Sequence, residues 1–147
     1  INVISSITYN PELSLEKGNY SKVRPSKNDL FEIKKGKAHL NKLNAHNHVQ
    51  GLVIRNGNII KTETSTGTKK MLRIIKPDKK KEGILIKLPK LKQDLRIDLP
   101  TVGLDTLIDC KKAGLRGIVL KHKKNIFLDK EKCIEFANKN KIFIYII

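Results

Sequence analysis

Ile84-Leu85-Ile86-Lys87-Leu88-Pro89 is the stretch that decides the fold. A short apolar run closed by a proline reads as a buried strand, because proline has no N–H to donate to a sheet ladder. Downstream of it the chain alternates. Leu104 to Ala113 reads as a helix with Leu104, Leu107 and Ile108 inward and Gly114 as its C′ residue. Gly117 to Leu120 is a strand, and Ile126 to Leu128 a short strand after a basic turn. Asp129 is expected to cap a helix bearing Cys133, Ile134, Phe136 and Ala137, and Ile142 to Ile147 is a final apolar strand. Strand, helix, strand, helix, strand implies parallel pairing through right-handed crossovers.

Upstream, Val49 to Arg55 and Asn58 to Thr64 flank Asn56-Gly57. An Asn-Gly pair between apolar strands signals a hairpin, since a type I′ turn needs positive φ at both positions. Ser26 with Asp29 three residues on is a capping-box signature. The helix it opens places Leu30, Ile33, Ala38, Leu40 and Leu43 on one imperfect face across Gly36, and Asn44 to His48 reads as a polar loop. Thr68 to Ile75 is a short helix, and Lys76 to Gly83 a solvated loop. Residues 2–8 read as a short strand followed by a linker. The expected fold is therefore α/β: a mixed sheet with βαβ crossovers in the second half and an N-terminal β-hairpin.

The 147 residues fit one domain. No apolar run approaches the roughly 20 residues that span a bilayer. Cys110 and Cys133 fall on predicted helices and read as buried free thiols, which suits the reducing cytoplasm. Four scattered histidines and two cysteines form no zinc spacing. No P-loop, dinucleotide fingerprint or serine-nucleophile motif is present. The net charge is +17, from 31 Lys and Arg against 14 Asp and Glu. Such a surface attracts nucleic acid, anionic lipid or anionic substrates; the other reading is compositional bias, since Lys, Ile and Asn are all over-used. Aromatic residues make up 5% with no Trp, which argues against a stacking platform for single-stranded nucleic acid.

After Pro89 comes Gln93-Asp94-Leu95-Arg96-Ile97-Asp98-Leu99-Pro100-Thr101-Val102-Gly103, which crowds polar groups beyond a strand's carboxyl end, where α/β folds place their chemistry. In an extended run, residues 94, 96 and 98 share a face, with the two carboxylates about 13 Å apart. Arg96 between them would keep both ionised. Asp, Arg and Lys types suit hydrolysis of a phosphoanhydride; they suit equally a structural Asp–Arg network with a helix cap. Thr101 to Gly103 leads into a helix N-terminus, for phosphate or for plain capping by Thr101 or Asp105. Lys87 and Lys90 are candidate phosphate clamps.

The run resembles the Gln-Asp-x-Arg-x-Asp-x-Pro motif in the C-terminal domain of LpxI-type UDP-2,3-diacylglucosamine pyrophosphatases, enzymes of lipid A biosynthesis in Gram-negative bacteria. Arg24-Pro25-Ser26, the Val49–Glu63 hairpin, Gly67-Thr68 through Met71-Leu72, Val102 to Thr106, Ala113 to Ile118 and Leu128 to Lys130 follow in the family's order. The resemblance implies magnesium-dependent hydrolysis of UDP-2,3-diacylglucosamine to UMP and 2,3-diacylglucosamine 1-phosphate at the inner face of the inner membrane. It implies catalytic roles for Asp94, Arg96 and Asp98, and substrate contacts from Lys90, Gln93, Gly67, Thr68, Thr101 and Gly103. Asp98, Asp94 and Glu63 are the implied Mg²⁺ ligands. Relatives favour acids where Thr66, Lys69, Asn47 and Lys121 stand here, which is expected to weaken metal affinity. Family members carry two domains, so residues 1–18 read as the remnant or linker of a first domain and 19–147 as the C-terminal catalytic domain. A non-catalytic remnant or subunit of that enzyme, pairing with a separately encoded first domain, and a basic nucleic-acid-binding domain that has drifted from the family are the alternatives.

Overall fold

A computed structural model describes residues 2–47, 49–90, 94, 96 and 99–147, with residues 44–47 described for the backbone alone. The expected first strand is absent there. Ser6–Tyr9 instead forms a one-turn helix, α1, whose Ser5 Oγ accepts the Ile7 N–H, an N-cap that favours helix over strand. The first strand is β1, Gly18–Asn19. Helix α2 spans Lys27–Asn47, followed by β2 (Gly51–Arg55), β3 (Asn58–Thr62) and α3 (Gly67–Arg73). Then come β4 (Ile84–Lys87), β5 (Thr101–Val102), α4 (Leu104–Lys112), β6 (Gly117–Leu120), β7 (Ile126–Phe127), α5 (Lys130–Asn140) and β8 (Phe143–Ile146).

Six strands form one mixed sheet in the order β1-β8-β6-β4-β2-β3. The β4, β6 and β8 strands are parallel, β2 and β3 form the antiparallel hairpin on one side, and β1 closes the other edge against β8. The Asn56-Gly57 turn has the predicted positive φ at both residues. Residues 126–127 do not join this sheet; β7 pairs with β5 in a separate two-stranded ladder.

Strand alternation divides the core into two layers. Leu52, Ile54, Ile84, Ile86, Val119 and Phe143 face Ile33 and Leu40 of α2. Val53, Leu85, Ile118, Leu120, Ile144 and Ile146 face Leu72, Leu107, Cys110, Cys133 and Ala137 from α3, α4 and α5. Gly36 does not break α2; a side chain there would strike Ile86 and Leu52, so glycine lets the helix lie close on the sheet. Gly117 likewise leaves room for the Phe143 ring on the next strand.

The inward face of α2 differs from the expectation. Leu30 and Ala38 are exposed, while Asp29 and Glu32 are buried. Both buried carboxylates are satisfied. Asp29 Oδ2 accepts the Ser26 N–H at 2.7 Å and lies 3.1 Å from Arg116 Nη2, and Glu32 Oε1 accepts the Gly57 N–H at 2.6 Å. The capping box is complete, since Ser26 Oγ accepts the Asp29 N–H. The helix also runs through residues 44–47, expected as loop, because extending a formed helix adds a hydrogen bond for each residue fixed.

Two other capping expectations fail. Asp129 sits at φ 50, ψ 53 with no side-chain cap bond, so its carboxylate does not reach the first-turn amides of α5. At α4 the N-cap is Gly103, without a side-chain cap, and Thr101 Oγ1 turns instead to the Leu99 carbonyl at 3.2 Å. Gly114, at φ +71, ends α4 as expected.

Candidate active site

Strands β4, β6 and β8 end at the same level, with Lys87 registered on Leu120, Leu120 on Ile146, and Lys87 on Gly51 across β2. Successive side chains leave this edge on opposite faces. Lys87 goes to the face carrying α3 and α4. It is 8% exposed and donates from Nζ to Thr68 Oγ1 at 2.8 Å. Thr68, itself buried, is brought there by the tight turn at Gly67, whose φ of +88 suits glycine. Asn125 steadies the edge by donating from Nδ2 to the Lys87 carbonyl at 3.4 Å and accepting the Lys121 N–H at 2.8 Å.

Glu63 continues the hairpin beyond β3, its N–H donating to the Gly51 carbonyl at 2.8 Å. Its Oε2 is buried and has no hydrogen-bond partner among the described residues. Gly51 makes room for it, since a Cβ there would come within 2.7 Å of that oxygen. Beside it opens a cleft of about 590 Å³ lined by Glu63, Gly67, Gln50, Lys90, Thr64 and Ser65 among others. A carboxylate, a lysine, an amide and hydroxyls thus meet one apolar-backed cleft, a set suited to a polar, anionic ligand.

Of the expected site residues, Glu63, Gly67 and Lys90 line this cleft, and Thr68 adjoins it through Gly67. Asp94 and Arg96 form a surface fork instead of sharing an extended face. Arg96 Nε donates to Asp94 Oδ1 at 2.9 Å and Nη2 to Oδ2 at 2.8 Å, while the Arg96 N–H bonds Oδ1 at 3.0 Å. Those hydrogen bonds from Arg96 pull the Asp94 carboxyl down to about 2, and Asp94 in turn raises the Arg96 guanidinium. The chain therefore turns at Arg96, because a local i to i+2 hydrogen bond competes with extension. Gln93 and Asp98 lie outside the described residues. Thr101 and Gly103 stand on β5 and at the start of α4.

Magnesium has one described donor that fits. Glu63 lines the cleft and carries a buried carboxylate oxygen without a partner among the described residues, a hard oxygen ligand of the kind Mg²⁺ takes singly or in pairs beside substrate phosphate. Among the described residues no group of three or more His, Cys, Asp or Glu is placed to hold an ion.

Sequence alone marks Lys87, like Lys90, as a candidate phosphate clamp among many lysines. The signal that singles it out is its place inside an otherwise apolar strand, where a charge needs a partner. Both cysteines are buried free thiols, as expected. Burial pushes the Cys110 thiol up, with Asp109 adding to the effect, and raises Cys133 to about 11.

The fold and this edge define an α/β domain with a mixed sheet and a polar cleft beside the carboxyl ends of its parallel strands. The family model of the LpxI C-terminal domain matches residues 16–145, and the chain belongs to that family, which places it among the enzymes of lipid A biosynthesis. No curated protein matches the chain in sequence. Among the described residues no helix is long and apolar enough to cross a membrane.

Proposed function

We propose that the chain is the C-terminal part of a UDP-2,3-diacylglucosamine pyrophosphatase, releasing UMP and 2,3-diacylglucosamine 1-phosphate. The observation that carries this reading is the buried Lys87 ammonium held by Thr68 beside the Glu63 cleft, in a chain of the LpxI C-terminal domain family. A diphosphate presents its charge to a cation already desolvated and oriented, so little reorganisation is needed as charge develops. Lys90 adds a second positive group on the cleft wall. Glu63, with Asp98 from the polar run, would hold Mg²⁺, which when bound supplies charge neutralisation on the phosphate oxygens. The Asp94–Arg96 fork lies at the surface, where Arg96 would meet phosphate and Asp94 keeps it oriented. The enzyme would work against the inner face of the inner membrane as a peripheral protein, with the +17 charge favouring anionic lipid.

Thr66 and Lys69 flank the Gly67-Thr68 turn where relatives favour acids, and both are exposed. The isolated chain is accordingly expected to turn over slowly, and a relative's first domain to raise its rate. The test is hydrolysis of UDP-2,3-diacylglucosamine with that domain supplied, following UMP and the sugar phosphate with and without Mg²⁺. Absence of both products, with the domain bound and the metal present, refutes the reading.

A further inference from the structure

Four lysines from separate parts of the chain gather on the α2 side of the same sheet edge, across the sheet from Lys87. Strand register places two of them. Gly18 and Leu120 are both paired with Ile146, so Lys17, just before Gly18, and Lys121, just after Leu120, leave the sheet at one level on either side of β8. Val119 packs toward α2, and alternation carries Lys121, two residues on, to that side. Lys37 comes from α2 itself, next to the Gly36 that rests on Ile86 and Leu52. Lys124 comes from the turn that Asn125 pins to the Lys121 N–H at 2.8 Å.

Lys121 stands close enough to the other three lysines to feel their charge. Burial, then the charges of Lys37, Lys17 and Lys124, hold the Lys121 ammonium below its ordinary value. The nearby carboxylate of Glu16 is turned elsewhere, 3.3 Å from His122 Nδ1 and 3.9 Å from Lys123 Nζ. Among the described residues no carboxylate lies within ion-pair distance of any of the four. Like charges held together without a counter-charge oppose folding, and a bound anion relieves that cost. A single anion carrying several charges on a small volume can answer four cations at once.

We propose that Lys17, Lys37, Lys121 and Lys124 form a binding site for a multiply charged phosphate group, a phosphomonoester or diphosphate, separate from the Lys87–Glu63 cleft. It stands whether or not the hydrolase reading does, since none of the four lysines lines that cleft. The phosphate could be free or carried on a lipid head, and the two sources are separable.

Inorganic pyrophosphate is titrated calorimetrically into the full chain at low salt, without metal. The double variant Lys37→Gln/Lys121→Gln is compared with Lys79→Gln/Lys80→Gln, which removes the same net charge from an exposed loop. The cluster variant should bind at least about tenfold more weakly, and the loop variant within about twofold of the parent. Pyrophosphate should raise the parent's Tm clearly more than that of the cluster variant, whose own cooperative transition also shows that it is folded. Sedimentation with phosphatidic acid vesicles but not phosphatidylcholine, lost in the cluster variant, assigns the phosphate to a lipid head. Pyrophosphate binding without vesicle binding assigns it to a soluble ligand. Equal weakening in the two variants, or no saturable pyrophosphate binding by the parent, overturns the site.

Discussion

Alanine at position 51 tests whether the Glu63 carboxylate matters where it stands. The added Cβ would lie 2.7 Å from Glu63 Oε2, and ordinary contact begins at 3.4 Å, so the carboxylate must swing by about 0.7 Å. It is the far end of a flexible side chain, and moving it costs little. Gly51 lies on β2 outside the positive-φ region, so alanine is tolerated by the backbone and stabilises by roughly 0.4–1 kcal/mol through the unfolded chain. The net stability change should stay within about 1 kcal/mol. Catalysis is less forgiving, since a misplacement of about 1 Å costs on the order of 100-fold. Gly51→Ala should therefore keep its urea midpoint and lose about 10- to 100-fold in kcat/KM for UMP release, measured with a relative's first domain supplied. Full activity in a variant of unchanged stability would remove Glu63 from the site. A loss of more than about 3 kcal/mol in stability would contradict the steric account itself.

Three further outcomes are expected. Asp29→Ala removes the acceptor of the Ser26 N–H and the partner of Arg116, worth about 2–4 kcal/mol together with the exposed part of the ion pair discounted, and should lower Tm by roughly 6–12 °C; a drop under about 2 °C would contradict the role given to Asp29. The two thiols stay protonated in the folded chain above the pH near 8.5 where unfolded thiols ionise, so the unfolded state binds fewer protons there. Relative to a Cys110→Ala/Cys133→Ala variant, the parent should thus lose stability as pH rises from about 8 to 11, and urea midpoints that track each other across this window would contradict the burial argument. Asp98→Asn should lose at least ~100-fold in rate in the reconstituted system, because an amide neither neutralises a metal ion nor accepts a proton from water; a variant as active as its parent removes Asp98 from the site.

The sheet was legible because its signals are local and strong. Ile84 to Lys87 is apolar enough to be buried, Asn56-Gly57 forces a hairpin, and Gly114 ends a helix. What escaped depends on partners distant in sequence. Asp29 and Glu32 occupy inward positions that periodicity assigns to apolar residues, and the distant Arg116 and Gly57 amide, with the local Ser26 N–H, make this possible. Leu30, apolar and in phase, is exposed for the same reason. Asp94 and Arg96, two residues apart, look like neighbours on a strand face, yet a fork between them turns the chain. Of the residues along the cleft, Glu63, Gly67 and Lys90 are ones the family resemblance names. The weight now given to Lys87 came from the Thr68 contact, which no spacing rule connects across 19 residues.

The most direct measurement compares Lys87→Met with Lys76→Ala in the reconstituted hydrolysis of UDP-2,3-diacylglucosamine. Methionine keeps the apolar stem of a buried side chain and deletes its charge, while Lys76 is exposed in the loop before β4. If the sheet's carboxyl edge acts on the diphosphate, Lys87→Met should retain a cooperative thermal transition and lose at least about 100-fold in kcat/KM. Lys76→Ala should stay within about twofold of the parent. A folded Lys87→Met variant with parental turnover would contradict the placement of the active site at this edge.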